Sequence, residues 1–353
     1  MKWVIGEAVR NLVSGTTHAL RYTLLLSIAL GTLVLAEISD IDSILTRAAE
    51  YRTAGGSVLT VEAPGRIDGA TCEAFGRLPG IDAAGALRTE RELVSPALPR
   101  GPITAYGVTE GLLNVITAHR DAGPGLVFSQ DVADSLGRRT GDELATTTGL
   151  TRVRGVYSWP QDGRRSGYAY SALIPITAQN MFDQCWIRAW PMPAETATLI
   201  RLSVLPSDDK NSKVTVSHLN SRLATDFDGT ELFTGRITRH AWLVACVVGL
   251  LLGGTSVYTR RLELASARHV GVSRTASHVQ ALIEAAVWVT STGVILAGIT
   301  SVALTFTSNH DNLSLFAAAT HIALPGLLTT LLGTQLATTA VREKNLFRYF
   351  KTR

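Results

Sequence analysis

Few residue patterns in this sequence could do chemistry, and those that bind nucleotides are absent. A P-loop needs a lysine directly after a glycine, and none of the five lysines among the 353 residues follows one. The zinc-protease pattern His-Glu-x-x-His and the nucleophile elbow Gly-x-Ser-x-Gly are also missing. We therefore expect a chain that is not an enzyme and that carries no metal site or cofactor of its own.

A compact charged segment at 260–278 is the most informative pattern. It begins with Arg260 and Arg261, continues through Glu263 to Arg268, and turns at Gly271 before Ser273. The composition indicates a short polar helix held at a membrane surface, which could dock into a groove on another protein. An ordinary basic loop between two membrane helices also fits this composition.

The three cysteines bear on the compartment. Cys246 falls within an apolar window, where a thiol packs as a small apolar group, whereas Cys72 and Cys185 fall in the polar part of the chain. No spacing among them suggests zinc. If that part lies outside the cell, a Cys72–Cys185 disulfide is expected, and two unrelated buried thiols are the alternative.

Four apolar stretches set the fold class. Hydrophobic residues make up 46% of the chain and charged residues only 18%, against about 25% in an ordinary soluble domain. A membrane-spanning helix needs about 20 apolar residues. We predict four spanning helices, with a large α+β domain inserted between the first and the second; the spans are 20–38, 240–259, 279–308 and 313–341.

The basic residues give the orientation. Twelve arginines and lysines precede the first span or lie at its start, separate the second from the third, or follow the fourth. By the positive-inside rule, the segments 1–19, 260–278 and 342–353 are cytoplasmic, so both termini are inside. The segment 39–239 and the short loop 309–312 are then predicted to lie outside the cytoplasm.

The N-terminal segment 1–19 is predicted to form an amphipathic helix along the cytoplasmic membrane surface, with an extension of the first span as the alternative. Its expected polar face carries Glu7, Arg10 and Asn11. Its expected apolar face carries Trp3, Val4, Ala8, Leu12 and Val13.

The segment 39–239 alternates strand and turn patterns. Apolar alternation predicts strands at 57–63 and around Cys185, and 125–128 predicts a strand followed by a helix. That helix is expected to be capped by Ser129 and stopped by Gly137. Residues 213–238 are expected to lead, with a break near Asp228, into a helix that runs into the second span.

Within the spans, small and ionisable residues are the candidates for special roles. Small residues at every fourth position of the second span allow close helix approach, to the first span, to a dimer mate, or simply within the chain. Glu284 and His321 are ionisable residues at membrane depth. The small residues are Ala241, Ala245, Gly249 and Gly253.

The segment after the second span resembles the corresponding loop of the MacB/FtsX-like family of ABC transporter permeases. In that family an Arg-Arg-x-Glu run, an arginine five residues on, and a Gly-x-Ser turn recur. The sequence departs from the family pattern at His269 and Val270. The resemblance also covers the order of the spans and the FSQDVADSLGRRTGDEL unit. The matching positions are Arg260, Arg261, Glu263, Arg268, Gly271 and Ser273.

The resemblance implies a membrane protein of the bacterial cytoplasmic membrane that works as a dimer. It implies that 263–273 form a coupling helix gripping a separate ABC ATPase, which would supply ATP and Mg²⁺. ATP hydrolysis would then move the extracytoplasmic domain by mechanotransmission, for export of an amphiphile such as a peptide, an antibiotic or a lipoprotein. The expected partners are that ATPase, a second permease subunit and membrane lipid, with no nucleic acid.

Two other functions stay open on the sequence. One is an FtsX-type transmembrane regulator of a cell-wall hydrolase, which the size of the segment 39–239 disfavours. The other is a membrane-anchored receptor that works without an ATPase. A receptor would tolerate changes in the segment 260–278, whereas a coupled permease would not.

Overall fold

The computed structural model describes residues 2–95, 101–116, 119–146, 149–208, 213–223, 227–307, 312–342 and 350. Two compact units are present: a helical unit of Met1–Arg47 and Asp228–Arg353, and a sheet unit of Ala48–Phe227. In chain order the α-helices are α1 (Lys2–Val13), α2 (Ala19–Thr53), α3 (Gly69–Ala74), α4 (Glu110–Val115), α5 (Gln130–Leu136), α6 (Thr196–Leu199), α7 (Gly229–Thr234), α8 (Ala241–Tyr258), α9 (Arg261–His269), α10 (Arg274–Phe306) and α11 (Asn312–Ala340).

The strands of the sheet unit form one mixed sheet, in the order β10-β1-β9-β2-β3-β8-β5-β7-β4, with β6 added to β7. Two of the pairings, β3 with β8 and β5 with β7, are parallel. The strands are β1 (Val58–Asp68), β2 (Ala83–Thr89), β3 (Thr104–Val108), β4 (His119–Arg120), β5 (Leu126–Ser129), β6 (Glu143–Thr146), β7 (Gly149–Tyr157), β8 (Ser171–Pro175), β9 (Met181–Arg188) and β10 (Thr215–His218).

The interior strand β9, third from one edge of the sheet, carries one half of a disulfide. Cys185 pairs in register with Val61 of β1 and Ala86 of β2, and its sulfur is bonded to Cys72 of α3. Both cysteines are fully buried in a core cluster with Phe75. The bond therefore holds α3 against β9, across a sequence separation of 113 residues.

In the helical unit, four helices are long and apolar enough to cross a membrane: α2, the Ile237–Tyr258 stretch that contains α8, α10 and α11. They share a core in which Leu26 and Leu30 of α2 pack with Ala245, Trp288 and Ile322. The helix α2 is unbroken to Thr53, well past the end predicted at 38, and α10 begins at Arg274 rather than at 279. The residues 309–311 of the predicted outer loop, and 343–349 and 351–353 of the predicted tail, lie outside the described residues.

The small residues of α8 face α11, the last apolar helix. A Cβ on Gly249 would lie 2.3 Å from the carbonyl oxygen of Gly326, and one on Gly253 would lie 2.0 Å from that of Thr330. On the other side, a Cβ on Gly333 would lie 2.4 Å from the carbonyl oxygen of Leu250. The two backbones touch here because neither helix has side chains in the way, as in membrane helix pairs built on small residues.

The segment 213–238 leads into the second span through β10, the short helix α7 and a 3-10 turn at Ile237–His240. Two sequence-based expectations about local structure are wrong. Ser129 precedes α5 but does not cap it, because its hydroxyl accepts the backbone N–H of Ser171 on β8 instead. Gly137 does end α5, in the left-handed conformation, as predicted.

The second concerns α1. Asn11, expected on its polar face, is buried together with Val4 and Ala8. The reason is that α1 packs against α10, where a buried carboxylate takes the Asn11 amide.

Replacement of both disulfide cysteines by alanine should lower the stability of the full chain in detergent by about 2–5 kcal/mol, because the unfolded chain loses a long covalent loop. Thermal unfolding with and without reductant measures this. Cys246→Ala, which removes the free thiol of α8, is the control and should unfold like the parent chain. Equal unfolding of the double variant and the control would contradict the disulfide.

Gly253→Ala should destabilise the α8–α11 pair by about 1–3 kcal/mol, because its methyl group would meet the Thr330 carbonyl. The matched control is Gly254→Ala, at the next residue, where an added Cβ meets nothing within 4 Å. The measurement is the midpoint of thermal aggregation of the full chain in one detergent. Similar midpoints for the two variants would show that the helices do not pack through Gly253.

Candidate coupling site

The site is built around α9, which lies between two of the apolar helices and is joined to them by buried arginines. After α8 ends at Tyr258, Arg260 takes a non-helical conformation, and α9 begins at the next residue. Leu264 and Ala265 on its inner side are buried against Val257 and Val341. The amphipathic pattern of α9 thus covers the ends of α8 and α11.

Arg260 forms the first connection. Its guanidinium donates to Glu284 of α10 at 2.5 Å and to Glu263, one turn into α9, at 2.6 and 2.9 Å. The Arg260 and Glu284 side chains are only 10% and 8% exposed. Glu284 also accepts the side-chain amides of Asn11, at 2.8 Å, and Gln280, at 3.1 Å. This polar node, defined as Arg260, Glu284, Glu263, Asn11 and Gln280, joins α1, α9 and α10.

The electrostatics of the node keep Arg260 charged. Burial by itself lowers the pKa of the guanidinium, but the hydrogen bond to Glu263 and the negative charge of Glu284 outweigh it, so the pKa is raised above its usual value. The buried cation is therefore matched by a carboxylate on each side, which is the condition under which a charge tolerates burial.

Arg268 forms the second connection, to the end of α11. Its guanidinium donates to the carbonyl oxygens of Thr338, at 3.1 Å, and Val341, at 2.5 Å, and its Nε lies 3.4 Å from the Ser277 hydroxyl. The last carbonyls of a helix have no partner within the helix and carry partial negative charge. A buried arginine that caps them also neutralises that charge, so Arg268 joins α9 to α10 and α11.

The remaining residues of the sequence motif shape the turn. Gly271 has φ of +107°, in the left-handed region that glycine tolerates, and it reverses the chain after α9. Ser273 caps α10 through its hydroxyl, which accepts the Ala276 N–H at 3.2 Å. The Arg261 guanidinium lies 4.0 Å from the centre of the Tyr258 ring.

The outward side of α9 and its turn carries different residues. Ser266, His269, Val270 and Arg274 are exposed, and Val270 is 85% exposed. We call these four residues the outer face. Arg260 and Arg268 thus point inward and hold the loop, and the outer face includes the two positions that depart from the family pattern.

Glu284 and Asn11 belong to the site, but sequence reasoning did not join them to Arg260. The signal was an acidic residue at membrane depth, which requires a partner. Its partners lie 24 and 273 residues away along the chain. His321, the other ionisable candidate, is exposed beside the Trp242 ring and joins no polar cluster that the described residues show. Within the described residues, no group of three His, Cys, Asp or Glu side chains could hold a metal ion.

Comparison with known proteins adds the following. No protein-family model and no curated protein matches the chain. The solved periplasmic region of MacB from Actinobacillus actinomycetemcomitans is similar to 49% of this chain and is covered over 94% of its own length, at 12% identity and a TM-score of 0.35. The extracellular domain of the noncanonic ABC-type transporter YknZ from Gram-positive bacteria is similar to 46% of this chain, over its full length, at 12% identity and a TM-score of 0.30.

Each of these two likenesses extends over about half of the chain. With four helices apolar enough to span a bilayer, the chain has the features of a membrane protein with a mixed-sheet domain.

Glu284→Ala should destabilise the helical unit by about 3 kcal/mol, because it leaves the buried Arg260 with half of its countercharge and Asn11 without its acceptor. Glu263→Gln is the control and should cost less than about 1 kcal/mol, since the Glu263 side chain is 49% exposed. Thermal unfolding in nanodiscs measures both. A larger loss for the Glu263 variant would contradict a buried node centred on Glu284.

Proposed function

We propose that the chain is the permease subunit of an ABC transporter, and that a separate ATPase docks on the outer face of α9. One observation carries the proposal: a short helix between two apolar helices is fixed from inside by two arginines, while its outward residues are exposed. A loop that only reversed the chain would not need two buried guanidinium groups, each of which is costly to desolvate.

The connections give the helix a mechanical role. A force applied to α9 passes to α10 through Arg260 and Glu284, and to the end of α11 through Arg268. Charge-assisted hydrogen bonds of this kind are short and directional, so they hold the loop in one geometry. Movement of a docked ATPase would therefore shift packed helices as rigid bodies, without a polar channel through the membrane.

The exposed residues fit a docking surface. An 85%-exposed valine beside a histidine and an arginine offers one apolar anchor with polar neighbours, the usual make-up of a small protein interface. In this proposal the outer face is cytoplasmic, both termini are cytoplasmic, and the sheet unit lies outside the cytoplasmic membrane of a bacterium. The partner ATPase supplies the ATP and Mg²⁺ chemistry.

The proposed transport cycle uses two permease subunits, either identical or different, in contact with membrane lipid. ATP hydrolysis moves the sheet units on the far side of the membrane and expels an amphiphilic substrate. If the chain instead regulated a cell-wall hydrolase, it would use the same docking of an ATPase on α9 and the same movement of the packed helices. An ATPase-independent receptor, by contrast with both of these functions, would have no use for the outer face.

The test is charge substitution on the outer face. Val270→Glu should lower the ATPase that co-purifies with the tagged full chain by about tenfold, because it puts an unpaired carboxylate at the centre of the contact. The readouts are vanadate-sensitive Mg-ATP hydrolysis per permease chain and identification of the ATPase subunit by mass spectrometry, in membranes of the native host.

The control is Ser14→Glu, which adds the same charge at an exposed position in the turn between α1 and α2. It should retain the ATPase. Equal recovery with both variants would refute docking on the outer face. Absence of any ATPase from the parent chain would favour the receptor.

A further inference from the structure

A cavity of about 560 Å³ lies wholly within the sheet unit and belongs to none of the contacts described above. Its volume falls within the range of about 300–1,000 Å³ typical of small-molecule sites. The C-terminal end of α2, the strands β1 and β9, and the loop around Trp159 contribute to its wall. We call it the Trp cavity, after Trp159 and Trp186.

The wall of the Trp cavity has an apolar part without free hydrogen-bonding groups. Val58, Trp159, Trp186 and Leu219 line it and are each at most 9% exposed. The indole N–H of Trp159 already donates to the carbonyl of Arg165, at 3.0 Å, and that of Trp186 to Gln184, at 2.9 Å. Trp186 is itself fully buried, so the Trp159 ring is the one that offers carbon surface to the cavity, which favours an apolar ligand body.

The charged part of the wall is predominantly basic. Arg52, Arg164 and Arg188 line the cavity, against Asp82 as the one acidic residue among the described lining residues. The Arg164 guanidinium is matched by Asp162, at 2.6 and 2.9 Å, and lies over the Trp159 ring. The Arg188 guanidinium donates one N–H to the carbonyl oxygen of Val115. Arg52 and Arg188 together leave an excess of positive charge over Asp82.

The Arg164–Asp162 pair is fixed and does not supply that excess. Burial alone raises the pKa of the Asp162 carboxyl, but hydrogen bonds from Arg164 outweigh this and hold it below its usual value. The carboxylate therefore stays ionised at neutral pH and continues to neutralise Arg164. The groups available to a ligand headgroup are Arg52 and Arg188.

We infer that the Trp cavity binds an amphiphile with an apolar body and a single acidic headgroup, the body against Trp159 and the acid paired with Arg52 and Arg188. Arginine forks match carboxylate, sulfonate and phosphate groups, and apolar surface supplies the affinity. As a substrate subsite of the permease, this inference rests on the proposed function. As a binding site it does not, because binding needs no ATPase.

The experiment is photolabelling of the full chain in nanodiscs with dodecanoate that carries a diazirine in its chain. Labelled peptides containing Trp159, Trp186 or Leu219 should appear, and unlabelled dodecanoate should suppress them while dodecylammonium of the same chain length should not. Peptides of α10 and α11 report partition into the bilayer, and their labelling should not respond to either competitor.

Two substitutions that change the net charge of the cavity in opposite directions distinguish a change in ligand binding from misfolding. Arg52→Gln should weaken labelling of the cavity about fivefold, and Asp82→Asn should strengthen it, because each changes the same charge balance at an exposed side chain. Arg77→Gln is the control, since it removes an exposed arginine of the sheet unit that does not line the cavity.

Suppression by dodecylammonium would overturn the acidic headgroup and point to Asp82 as the recognition group. Labelling confined to membrane peptides would overturn the cavity as a site. If cavity labelling behaves as expected while no ATPase associates with the parent chain, the inference stands and the proposed function fails.

Discussion

A buried ion pair organises the end of the helical unit at which α8 meets α9. The Arg260 guanidinium and the Glu284 carboxylate are both almost fully removed from solvent, and the pair is completed by Glu263, Asn11 and Gln280. Because an unpaired charge in such a place would cost several kcal/mol, each member has to stay in position. This requirement fixes where α1 packs, where α9 begins and how far α10 extends beyond the apolar core.

The rest of the helical unit follows from packing around that fixed point. Glycines on α8 and α11 let the two backbones touch, and Arg268 caps the end of α11 from α9. Small residues give close contact without side-chain entropy loss, and the arginine satisfies carbonyls that the helix itself leaves open. The loop between α8 and α10 is therefore part of the packed structure, and only its outward residues are available to a partner.

The sheet unit is held by a different interaction, a disulfide. A large mixed sheet is fastened to α3 by the Cys72–Cys185 bond on its interior strand β9. Its aromatic core opens at Trp159 into a cavity walled by arginines. The Trp159 ring, whose N–H is satisfied elsewhere, forms a surface that water gains little by covering, so an apolar ligand body is favoured there.

The sequence by itself determined the four apolar helices, the turn at Gly271, the left-handed stop at Gly137 and the strands at 57–63, at 125–128 and around Cys185, because each depends on local composition and periodicity. Only the tertiary structure decided that Arg260 and Arg268 face inward, that Asn11 is buried, that Ser129 bonds to β8 and that 215–218 join the sheet as a strand. In each case a partner distant in sequence outweighs the local preference, since a buried polar group must find its hydrogen bond wherever the fold supplies one.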